Sequence, residues 1–133
     1  MATTTATLTL TSDINTDALA LTTTHTLNKA GTTIGLEQTT GLAKKIYAAA
    51  QTNTTLISAG DYADNTASRV YIKNTGSSST DYFTLTIASG NSVIGRLYGQ
   101  DFAWLPYEGE EDIDISSTGT NMELEFMVLN EGA

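Results

Sequence analysis

Cysteine is absent from all 133 residues, which removes thiol nucleophiles, disulfide staples and thiolate zinc sites together. Histidine occurs once, so a Ser-His-Asp arrangement would have to run through His25. That residue sits among threonines in a strand pattern, and no GxSxG supplies the strand-turn-helix setting that exposes a nucleophilic serine. His25 reads as a packed or surface strand histidine, and no catalytic residue is assigned. Cations are few: six Lys and Arg stand against 15 acids, for a net charge of −9. Nucleic-acid binding needs Lys and Arg to displace phosphate counterions, so the chain is a poor candidate for it. No stretch approaches the ~18 apolar residues that cross a bilayer, and MATTTATLTLTS lacks a basic region ahead of an unbroken apolar run. The expectation is a soluble chain with neither a membrane partner nor a cleaved signal. Proline occurs once, as Pro106, where it is expected to stop a strand.

What the chain has in quantity is threonine, above all in its first half. Thr is stiff at χ1 and suits pleated backbone, so these runs favour strand over helix. Ala6, Leu8 and Leu10 alternate with Thr7, Thr9 and Thr11, and Leu19, Leu21, Thr23, His25 and Leu27 share one face, giving two strands. The first of them, residues 1–12, is an N-terminal arm or strand that pairs either within its own sheet or with a neighbouring subunit's edge.

Further on, VYIKNTGSSSTDYFTLTIASG reads as a β-hairpin. Val70 and Ile72 point one way, Phe83, Leu85 and Ile87 do so after a loop without apolar residues, and the strands are expected at the centre of the core. Residues 42–51 fit a short helix through Leu42 and Ile46 or a strand through Ile46, Ala48 and Ala50; strand is preferred. Residues 54–59, 93–98, 102–105 and 113–115 are further strands. Met122, Leu124, Phe126 and Val128 alternate with Glu123, Glu125 and Met127 in a last one, wetted on its glutamate side. Eight to ten short strands in one domain over 1–133 predict an all-β, antiparallel β-sandwich, jelly-roll-like in wiring.

Two segments raise the question of a site. Glu110, Asp112 and Asp114 recur at alternate positions, where carboxylates of an extended chain gather on one face and could ligate Ca²⁺; the spacing is not that of an EF-hand, and a solvated acidic loop is the plainer reading. No cofactor is assigned. Tyr98, Phe102, Trp104 and Tyr107 are close in sequence; at strand spacing Phe102 and Trp104 read as core, with an exposed binding patch as the alternative. Thr3, Thr5, Thr7, Trp104 and Tyr107 are the candidate interface residues.

The order of segments from Val70-Tyr-Ile-Lys-Asn74 through Tyr82-Phe-Thr-Leu-Thr-Ile87, Ile94-Gly-Arg-Leu-Tyr-Gly99-Gln-Asp-Phe-Ala-Trp-Leu-Pro106 and Asp112-Ile-Asp-Ile115 to Met122-Glu-Leu-Glu-Phe126 resembles that of small β-sandwich virion proteins of tailed bacteriophages, marine and cyanobacterial ones especially. The resemblance covers roughly residues 68–130 and rests on core and turn positions, so no functional residue carries over. It implies a capsid decoration (cement) protein on the virion surface, not an enzyme, whose partners are the major capsid protein and further copies of itself, a trimer being one arrangement. A tail, connector or fibre component is the nearest alternative, and a carbohydrate-binding β-sandwich module another.

Overall fold

The computed structural model describes residues 3–14, 16 and 18–131. Its regular segments are eleven strands: β1 (Thr5–Ser12), β2 (Leu19–Thr26), β3 (Gln38–Thr39), β4 (Ala43–Tyr47), β5 (Thr54–Ile57), β6 (Ser68–Asn74), β7 (Tyr82–Ile87), β8 (Ser92–Tyr98), β9 (Phe102–Tyr107), β10 (Ile113–Ser117) and β11 (Met122–Asn130). One 3-10 turn at Ala59–Asp61 is the only helical element among the described residues. All the pairings between strands are antiparallel. The all-β, antiparallel sandwich read from the strand patterns is therefore what the chain forms; its jelly-roll wiring stays an expectation.

Two sheets make the sandwich. One runs β5-β10-β7-β8; the other runs β3-β11-β6-β9, with β4 sharing the β3 edge of β11. β11 can hold both because β4 occupies Met122–Phe126 and β3 only Leu129 and Asn130. Between the sheets lie Val70, Ile72, Phe83, Leu85, Ile115, Leu124 and Val128, all at 0–1% exposure. Burying each contributes roughly 1.5–3 kcal/mol, an upper value because the unfolded chain already hides some apolar surface.

The expected hairpin of residues 70–87 is corrected. β6 pairs with β11 and β9, whereas β7 pairs with β10 and β8, so the two strands belong to opposite sheets and face each other across the core. Their apolar alternation is the same in either arrangement; residues 75–81 decide between them. That segment steps the ~10 Å between packed sheets and is tied down at both ends. Asn74, at 2% exposure, donates through Nδ2 to the Leu97 carbonyl at 2.9 Å and accepts the Gly76 amide at 2.9 Å. Ser78 Oγ accepts the Asp81 amide at 2.9 Å, and the Ser78 carbonyl accepts the Gly99 amide at 3.0 Å. A Cβ on Gly99 would stand 2.7 Å from that carbonyl oxygen, so only glycine allows the approach. The local hairpin on this side of the fold is β7–β8, turned by Ala88, Ser89 and Gly90 at φ of 56°, 56° and 83°.

Two smaller expectations change as well. Pro106 lies inside β9, opposite Arg69, rather than ending it. β9 is an edge strand, so its backbone has one side without a ladder and tolerates a missing donor. In β4 the inward residue is Tyr47, edge-on to Phe83 at 6.1 Å, while Ile46 is 67% exposed.

Candidate functional site

β1 and β2 form a sheet of their own. The register pairs Thr5 with Thr26 through to Ser12 with Leu19, so directly opposed residues share a face. One face is hydroxylated: Thr5, Thr7, Thr9 and Thr11 oppose Thr26, Thr24, Thr22 and Ala20, with Thr7 and Thr24 hydroxyls 3.0 Å apart. The other carries Ala6, Leu8, Leu10, Leu19 and Leu21 together with Thr23 and His25. In a sandwich strand such a face would be covered. Here Leu8, Leu10, Leu19 and Leu21 are 47%, 47%, 53% and 44% exposed. Eight residues at ~3.3 Å each make this arm about 26 Å long.

The base of the arm is anchored. The Leu27 amide donates to the Thr4 carbonyl at 2.9 Å, and the Leu36 amide to the Leu27 carbonyl at 3.0 Å. Leu27 and Leu36 are buried with Leu129 against Met127, a small second core on the outside of β11. The Glu131 carboxylate accepts the Ala30 and Ala67 amides, tying the segment after β2 to the start of β6. Beyond this base the arm leaves the sandwich.

Between the lower arm and the outer face of the β9-β6-β11 sheet lies a wedge of about 720 Å³. Ala6, Leu8 and His25 line it on the arm side; Arg69, Tyr71, Phe102, Trp104 and Met127 line it on the sheet side. The register explains the grouping, since Met127, Tyr71 and Trp104 are direct cross-strand neighbours and Phe102 opposes Lys73 one rung on. Phe102 is 62% and Trp104 40% exposed, so the reading of this pair as core is corrected: β9 turns Ala103 and Tyr107 inward and the larger rings outward. Tyr71 donates to Glu125 Oε1 at 2.8 Å. Burial first, and then this bond to an anion, push its phenol up to about 12.

The other candidates scatter. Thr3, Thr5 and Thr7 are exposed along the arm, and Trp104 is in the wedge. Tyr107 is 8% exposed, edge-on to Tyr62 at 5.8 Å with its hydroxyl donating to the Glu111 carbonyl at 2.9 Å, and so leaves the interface set. Burial, and secondarily Asp112, raise its pKa to about 12. The carboxylates do not gather as the spacing suggested: Glu110 is exposed, Asp112 Oδ1 accepts the Ala59 amide at 2.7 Å, and Asp114 is 3% exposed with Oδ1 lacking a partner among the described residues. Among the described residues no three His, Cys, Asp or Glu side chains are placed to hold a metal ion. His25 lines the wedge on the exposed face of β2. No helix among the described residues is long and apolar enough to cross a membrane.

The sequence reading missed the assembly of Leu8, Leu10, Leu19 and Leu21 into an uncovered face, and the pairing of Tyr71 and Met127 with Trp104. Period-two alternation marks a face as apolar; it carries no information on whether another layer covers it. Compared with family models, curated proteins and solved structures, the chain finds no match in any of the three.

Proposed function

We propose that this protein is a structural virion component, a decoration or cement protein that binds the exterior of a bacteriophage capsid. The observation that carries the reading is the pairing of a closed sandwich with a projecting arm whose leucines stay about half exposed, with no further sheet packed over them among the described residues. A two-stranded hairpin alone in water is marginal, and apolar surface left open on this scale marks a contact surface. Binding a repeated lattice needs no catalytic group, because many weak contacts on a symmetric array add through effective concentration. The partners in this reading are the major capsid protein and further copies of the chain, and the place is the capsid surface. A tail, connector or fibre role uses the same surfaces at another site on the particle.

The test is occupancy on purified particles, by mass spectrometry and by sedimentation with naked shells. A chain lacking residues 3–26 should keep the thermal transition of its sandwich and lose most particle binding. Full occupancy without the arm, or no affinity of the intact chain for shells, would refute the reading. A second reading, glycan binding, is favoured by one observation: Phe102 and Trp104 stand side by side on an open sheet face. Saccharide binding abolished by Trp104→Ala in an otherwise folded chain would support it over the first.

A further inference from the structure

The arm and the wedge are complementary to each other, but not within one chain. Only the lower arm, as far as Leu8 and Thr23, borders the wedge; Leu10, Leu19 and Leu21 stand beyond it, about half exposed. We infer that two copies of this chain pair about a two-fold axis, arms antiparallel, the leucine tip of each seated in the wedge of the other against Phe102 and Trp104. The inference deepens the reading of the arm as an assembly element and rests on it, naming a second copy as what the arm engages.

Three observations select a second copy as the occupant. The first is symmetry. An isologous contact requires one patch to carry both halves of a complementary pair, and this chain carries a protruding apolar tip at Leu10, Leu19 and Leu21 and, at the foot of the same arm, an apolar-lined recess. The recess, about 720 Å³, is of the size that receives a bulky apolar group.

The second is area. The exposed fractions of Leu10, Leu19, Leu21, Phe102 and Trp104 are 47%, 53%, 44%, 62% and 40%. Together they amount to about 500 Å² per copy, and therefore about 1,000 Å² for the pair, the size at which a specific interface begins. Leu8 and the backbone beside these residues add to it.

The third is charge. Copies at −9 repel one another, so they can meet only where like charges are not brought together. β1 and β2 carry no Asp, Glu, Lys or Arg. The antiparallel arrangement also places Asp13, just past β1, towards the end of the partner arm where Arg69 lines the wedge.

The single tryptophan lies in the proposed contact and reports on it. Sedimentation velocity of the full chain from about 1 to 100 µM, without capsid, should show a concentration-dependent monomer–dimer equilibrium. Trp104 emission should shift to the red on dilution through the same midpoint. Leu10→Thr with Leu21→Thr makes the apolar face resemble the hydroxylated one at β-compatible residues, and should weaken dimerisation tenfold or more. Phe102→Thr, made on the sandwich with the arm intact, should weaken it too, which guards against an arm that has merely unfolded. Thr22→Ser, on the opposite face, should leave it unchanged. A chain that is monomeric at 100 µM, a dimer that survives Leu10→Thr with Leu21→Thr, or a trimer would each overturn the arrangement. Because no shell is present, these outcomes are read separately from particle occupancy.

Discussion

Leu10 and Phe83 are both large apolar residues at alternate positions of a strand, but they should respond very differently to truncation. Phe83 is fully buried, at 0% exposure, and meets Tyr47 edge-on at 6.1 Å. Phe83→Ala removes a whole ring from a packed interior whose neighbours belong to two hydrogen-bonded sheets and collapse little. A loss of about 3–5 kcal/mol is expected, with the edge-on pair accounting for roughly 0.5–1.5 of it. Against a total stability of about 5–15 kcal/mol that is roughly a fifth or more, and at this size it lowers Tm by roughly 10–20 °C. Leu10 is 47% exposed, and its loss opens no enclosed cavity. Leu10→Ala should cost under about 1 kcal/mol in the monomer. The assay is urea and thermal unfolding by circular dichroism, at dilutions where the chain is monomeric. Equal losses for the two variants, or a Tm change of under about 3 °C for Phe83→Ala, would refute the placement of β7 at the core and of β1 outside it.

The crossing of residues 75–81 between the sheets depends on Asn74. Asn74→Ala should orphan the Leu97 carbonyl and the Gly76 amide and cost about 2–4 kcal/mol, with faster hydrogen exchange at the Gly76 amide as the local readout. Gly109 holds φ +90°, and a Cβ there would collide with the Ala63 carbonyl oxygen; Gly109→Ala should lower the urea midpoint clearly, while Gly31→Ala, with open space around it, should lower it only through backbone strain. On alkaline titration followed by tyrosinate absorbance, Tyr71 and Tyr107 should ionise last, near pH 12. Because their folded pKa values exceed the unfolded one near 10, the stability they contribute is whole below pH 10 and is lost as pH rises towards 12. Glu125→Gln should bring Tyr71 down only part of the way, since burial is the larger cause.

Much of the fold was legible in the sequence. Val70, Ile72, Phe83, Leu85, Leu124 and Val128 were read as inward from their alternation, and all are buried. The outward glutamates of β11 followed from the same pattern: Glu125 accepts Tyr71 and Glu123 pairs with Lys44 at 3.6 Å, both on the outer face. Partner choice was less legible. The alternation that marks β6 and β7 is satisfied equally by a hairpin and by two sheets stacked face to face, and contacts remote in sequence, Asn74 to Leu97 and Gly99 to Ser78, select the second. Phe102 and Trp104 went astray because β9 alternates two acceptable sets, and the smaller Ala103 with Tyr107 is the one buried.

What the sequence determined by itself is the strand period: threonine and β-branched runs suit pleated backbone, and a side-chain repeat of two assigns each residue to one of two faces. What only the tertiary structure decided is which of those faces meets another layer. Covering depends on where separate strands come to lie, and the leucines of β1 and β2 satisfy the same local rule as those of β11 while they stay about half exposed.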